Sequence, residues 1–149
     1  MADIQTLSIA IASASIVAGV IYYGLQIRHQ TKTRQTDLVI RLSSFFDDRE
    51  IAEAFTTIVS SDFKDADELR EKVSTPTLIT ISNFYQRVGV LLQKRLVDAD
   101  LVDRILYIEG VWEKMEPWMI AVRQRLGRPH MFSSFEYLYN EIKKREQRK

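Results

Sequence analysis

Apolar residues crowd one end of the chain and recur at helical spacing through the remainder. The 24 residues from Ile4 to Ile27 contain no Asp, Glu, Lys or Arg, and Leu7 to Leu25 is mostly Ile, Leu, Val, Ala, Gly and Ser. At about 1.5 Å of rise per residue, about 22 such residues reach roughly 33 Å, enough to cross a hydrocarbon layer of about 30 Å. The pattern predicts a transmembrane anchor over residues 1–27. Tyr22 and Tyr23 fall near its end, where amphipathic rings favour the headgroup region, and Arg28, Lys32 and Arg34 follow. These five are the expected membrane-surface contacts. The only charged side chain ahead of the stretch is Asp3. Positive charge resists translocation, so the expected location is the cell membrane, single-pass, with the N-terminus outside and the C-terminal domain cytoplasmic.

Two other readings fit less well. A cleaved signal peptide needs a basic leading region, where this chain has Asp3, and the small-x-small pattern at Ala12 and Ala14 comes too early. The central helix of a soluble bundle would show polar interruptions, whereas this run has no charge and leads directly into a basic patch. Within the run, Ser8, Ala12, Ser15 and Gly19 are spaced by four, three and four residues, which puts them on one helical stripe. Ile9, Ile11, Ile16, Val17, Val20 and Ile21 occupy much of the rest. Small side chains let helix backbones approach closely in lipid, so the stripe is an expected helix–helix interface.

Beyond the anchor, QIRHQTKTRQTD is polar but has no Gly or Pro, and Leu38, Val39, Leu42, Phe45 and Phe46 then resume at helical spacing. One helix is expected to continue through a juxtamembrane stalk, residues 28–46, into a helical domain, residues 47–149. In that domain Asp47 or Asp48 is placed to cap a helix whose apolar stripe is Ile51, Ala54, Phe55 and Ile58. SSDFKDADELREK is a polar connector with one or two helical turns. Thr75 and Pro76 open a core helix with Ile81, Phe84, Tyr85, Val88, Leu91 and Leu92 on one face. Asp98 or Asp100 opens the next, which buries Leu101, Val102, Ile105, Leu106, Trp112 and Met115. Pro117 is expected to kink that element or begin a new one, and Gly127 to Pro129 ends it. Ser133 or Ser134 is the expected cap of a final helix with Phe135, Leu138, Tyr139 and Ile142 on its apolar side, before the basic end KKREQRK. No stretch sustains strand alternation, so the fold class is all-α: an anchor, a stalk and a compact helical bundle.

Composition narrows the chemistry. A chain of 149 residues suits one domain with an appendage, and the absence of cysteine excludes disulfides, thiolate metal sites and thiol catalysis. A net charge of +1, from 21 basic and 20 acidic residues, gives no reason to expect a nucleic acid partner. With 46% hydrophobic residues the chain is not disordered as a whole.

Candidate catalytic groups do not assemble along the sequence. His29 and His130 lie apart, outside any metal-ligand motif, and the five glycines form no phosphate-binding loop. Asp98, Asp100 and Asp103 lack the glycine and distal Glu of a calcium loop and read as helix-start acids. Glu109, Glu113 and Glu116 lie about one turn apart but have no Glu-x-x-His partner for a di-metal site. Trp112, Trp118, Tyr137 and Tyr139 read as core filling ahead of a ligand pocket. Arg123, Arg125 and Arg128 with the basic tail offer an electrostatic surface that Glu141 and Glu146 dilute. The expectation is no catalytic residue, no cofactor and no metal.

The segment NFYQRVGVLLQKRLVDADLVDRI resembles a widespread group of small prokaryotic single-pass proteins known as a domain of unknown function. Their pattern is N-F-[YF]-E-x-[IV]-G-x-L, a short basic or glycine step, then L-[IV]-[DS]-x-x-L. The segments from Trp112 to Trp118 and from Phe135 to Leu138 are similar to the rest of that pattern, and the likeness runs over residues 4–142. Gln86 stands where the group usually has Glu, which argues against an essential acid there. The resemblance implies the anchor and the helical domain, and supplies no activity. The expected role is therefore a non-enzymatic interaction or scaffold protein whose partners are membrane lipid and either further copies of itself or other membrane protein subunits. An accessory subunit of a larger membrane enzyme complex, or a membrane-disrupting defence or toxin-like effector, are the alternatives.

Overall fold

The computed structural model describes residues 2–148; Met1 of the expected anchor and Lys149 of the basic tail lie outside them. Among the described residues there are seven α-helices, one short 3-10 turn and no strand. The chain divides into two units, one up to Asp37 and one from Leu38.

The first unit consists of one stretch of α1, Ala2–Ser43. A single helix has no second surface on which to bury its own side chains, and Ile9, Val17 and Ile21 are 64%, 57% and 58% exposed. The hydroxyls of Ser13 and Ser15 donate to the carbonyls of Ile9 and Ile11, and that of Ser8 to Gln5, which spends their polarity on the helix itself. This helix is long and apolar enough to cross a membrane.

The second unit begins with the last part of α1, where Val39 is fully buried and Leu38 and Leu42 pack beside it. A 3-10 turn at Ser44–Asp47 then carries Phe45 and Phe46 into the core. Local capping sets most of the boundaries that follow. Asp48 accepts the amide proton of Ile51 and starts α2, Arg49–Ser60. Asp65 accepts from Asp67 and Glu68 and starts α3, Ala66–Lys72. Ser74 accepts from Thr77 and starts α4, Thr75–Gln93, with Pro76 in its first turn. Asp98 accepts from Leu101 and starts α5, Ala99–Leu106.

Two boundaries differ from the sequence expectation, those at Tyr107 and at the start of the last helix. The single helix expected from Leu101 to Met115 is broken at Tyr107, which takes a left-handed conformation with φ of 46° and separates α5 from α6, Ile108–Leu126. Of the two effects expected of Pro117, it does not begin a new helix: α6 runs through it and stops, as expected, at Gly127, whose φ of 62° suits a residue without a side chain. The last helix, α7, Ser133–Glu146, is capped neither by Ser133 nor by Ser134. Its N-cap is Phe132 at φ 61°, and its first amides are satisfied from another helix, since Gln86 Oε1 accepts from Ser134 at 2.9 Å and from Phe135 at 3.0 Å.

The core is knitted by a run of aromatic rings. Phe45 stacks on Phe84 at 4.2 Å, Phe84 meets Tyr85 edge-on, and Tyr85 stacks on Phe135 at 4.7 Å. Phe135 then meets Trp112 edge-on at 4.9 Å, and Trp112 stacks on Tyr139. The 3-10 turn, α4, α7 and α6 are thus joined through one series of ring contacts, each adding about 0.5–1.5 kcal/mol beyond burial of its area.

Candidate functional site

The sequence-predicted interface residues all sit on the exposed part of α1. At about 100° per residue, Ser8, Ala12, Ser15 and Gly19 fall within an arc of roughly 60°. The Ser8 and Ser15 hydroxyls are held at 3.0 and 2.9 Å from carbonyls of their own helix, and a β-carbon on Gly19 would meet nothing within 4 Å. Together they make a track of small side chains along one side of the helix. Tyr22 and Tyr23 flank the end of the track, one on each side, and are 69% and 65% exposed.

Arg28, Lys32 and Arg34 are also exposed, but the helix does not bring all three together. Arg28 and Lys32 are four residues apart and share a side. Arg34 is turned away from both by roughly 120–160°.

In the compact unit several charged and polar side chains pair with one another. Lys143 is ion-paired with Glu109 and Glu113, and these carboxylates hold its ammonium group above the ordinary lysine range. Tyr139 donates to Glu113 at 3.2 Å, and its phenol is shifted up first by desolvation and then by that carboxylate. Asp62 is ion-paired with Lys114, whose hydrogen bond and charge lower its carboxyl from the usual value. Arg123 donates to the Met131 carbonyl and to Glu136, each at 2.7 Å, so it braces the turn before α7. Arg145 approaches Asp100 at 3.6 Å. Trp112 and Trp118 are buried, Tyr137 is half-buried, and His29 and His130 are exposed. Among the described residues no three potential metal-ligating side chains gather.

Deep inside, the Tyr85 hydroxyl donates to the Leu106 carbonyl at 2.6 Å and closes the C-terminal end of α5. Burial pushes its phenol well above the ordinary range. Sequence reasoning placed Gln86 in a motif without assigning its task. The structure gives it one, because Gln86 and Gly89 both face the start of α7. The signal was the one-turn spacing of these two residues in the core helix.

Fold and surface define an all-α protein with one long apolar N-terminal helix followed by a compact helical unit. The chain belongs to the family described as a domain of unknown function (DUF4760), whose model matches residues 10–142. Neither a curated protein nor a solved structure matches it.

Proposed function

We propose that this chain is a single-pass protein of the cell membrane, N-terminus outside, whose helical unit works in the cytoplasm as a non-enzymatic interaction partner or scaffold. Its anchor is α1, and assembly, with further copies or with other membrane subunits, runs through Ser8, Ala12, Ser15 and Gly19. The observation that carries this reading is the surface of α1 up to Ile27: uncharged from Ile4 onward, with large exposed apolar side chains and hydroxyls already bonded within the helix. Such a surface is costly in water and is at home in lipid, where helices associate by close packing of small residues. Tyr22, Tyr23 and the cations after Ile27 suit the inner headgroup region.

Two experiments test the reading. In alkaline carbonate extraction the protein is expected to stay with the membrane pellet; its release into the supernatant overturns the anchor. In a membrane two-hybrid assay, Ser15→Leu with Gly19→Leu is expected to lower association roughly tenfold; an unchanged signal overturns the interface. Mass measurement of the gently solubilised assembly then separates a homo-oligomer from a complex with other subunits.

A further inference from the structure

We infer that Arg28 and Lys32 form a two-cation clasp for one anionic phospholipid, on the side of α1 that faces away from the small-residue track. The inference rests on the anchor reading above and adds the lipid class and the residues that select it. Measured from Ser8 at about 100° per residue, Lys32 lies about 120° and Arg28 about 160° round the helix, so that Arg28 stands opposite Gly19 and Lys32 about 100° from Ser15. Leu25, Ile21 and Val17 lead up to them on the same side, and all three are more than half exposed. An acyl chain lying along these three brings its phosphate to the level of Arg28, and Lys32 stands about 6 Å further on, within reach of a flexible ammonium stem.

Charge selects the occupant. Neither Arg28 nor Lys32 has an Asp or Glu within four residues, and neither is ion-paired among the described residues. Arginine and lysine are the side chains that hold phosphate, the first through its fork of donors and the second as a point charge. Arg34 differs in both respects: it lies on another side of the helix and three residues from Asp37. A helix pair closed over Ser8 to Gly19 therefore keeps Arg28 and Lys32 apart from their counterparts and turns them toward lipid.

The test uses full-length protein in nanodiscs of phosphatidylcholine mixed with phosphatidylglycerol, with retained lipids counted by native mass spectrometry. The wild-type chain is expected to keep phosphatidylglycerol in preference, the double variant Arg28→Gln/Lys32→Gln to lose that preference roughly tenfold or more, and Arg34→Gln to keep it. A double variant that still selects phosphatidylglycerol overturns the clasp, and so does an Arg34→Gln variant that loses selection equally. Entry into nanodiscs without any lipid preference defeats the clasp and leaves the anchor standing. Failure to enter nanodiscs of either composition defeats both.

Discussion

Gly89 of α4 and Ser134 of α7 approach so closely that a β-carbon on Gly89 would lie 1.9 Å from the Ser134 carbonyl oxygen and 2.5 Å from its carbonyl carbon. Both atoms are backbone, so neither can swing aside. Gly89→Ala should push the two helices apart and destabilise the compact unit by about 3 kcal/mol. Both tryptophans, Trp112 and Trp118, are buried in this unit, so the midpoint of thermal unfolding followed by tryptophan emission in mild detergent reads the effect directly. A midpoint equal to wild type would show that the approach is looser than described.

Gln86 binds the same helix start by a different means. Removing its carbonyl in Gln86→Ala leaves the Ser134 and Phe135 amides without that acceptor and should cost about 1–2 kcal/mol, as for other lost helix caps. Gln86→Glu keeps the acceptor and adds negative charge at the positive end of α7, so its midpoint should equal or exceed wild type at neutral pH. If Gln86→Glu falls as far as Gln86→Ala, the capping assignment is wrong.

Ser82 is fully buried on α4, and its hydroxyl has no hydrogen-bond partner among the described residues. Desolvating an unpaired hydroxyl opposes folding. Ser82→Ala should therefore raise stability, by about 1 kcal/mol, in the same emission assay.

Tyr85 links stability to alkaline pH. Its phenol is raised in the folded state by burial, so the folded chain keeps a proton that the unfolded chain gives up near the ordinary value of 10.0. The stabilisation is complete below pH 10 and is lost as pH rises beyond it, at about 1.4 kcal/mol per pH unit for this group. Tyr85→Phe should be less stable at neutral pH by about 1 kcal/mol, for want of the bond to Leu106, and should decline less steeply above pH 10. Equal slopes for the two proteins between pH 10 and 11.5 would refute the linkage.

Elements set by short-range chemistry were legible in the chain. Asp48 and Asp98 cap helices because a carboxylate one step before an apolar helical stripe meets amides that are its near neighbours in sequence. Gly127 ends α6 because a left-handed turn favours a residue without a side chain. The alignment of Ser8 with Gly19 needs only helical register. What could not be read locally depended on distant partners. Tyr107 breaks a continuous apolar pattern in a conformation unfavourable for its residue type, and its ring occupies the space that a β-carbon on Gly110 would need, 2.1 Å from Tyr107 Cε1. Ser133 and Ser134 look like caps by composition, yet α7 takes its cap from Gln86, 48 residues before Ser134. Gly110 and Gly89 were visible as residues, but their meaning required the side chain or helix that fills each gap.

The distance along the chain between Gln86 and Ser134 also orders events in time. A ribosome delivers the chain from its N-terminus, so α4 is complete while the residues that will seal it are still unwritten. Until α7 arrives, the Gln86 carbonyl stays hydrated and the flank of Tyr85 that Phe135 will cover stays bare. The contact of α7 with α4 therefore cannot form before Ser133 is synthesised, and a nascent chain halted before that residue presents any chaperone at hand with an unfinished hydrophobic seam.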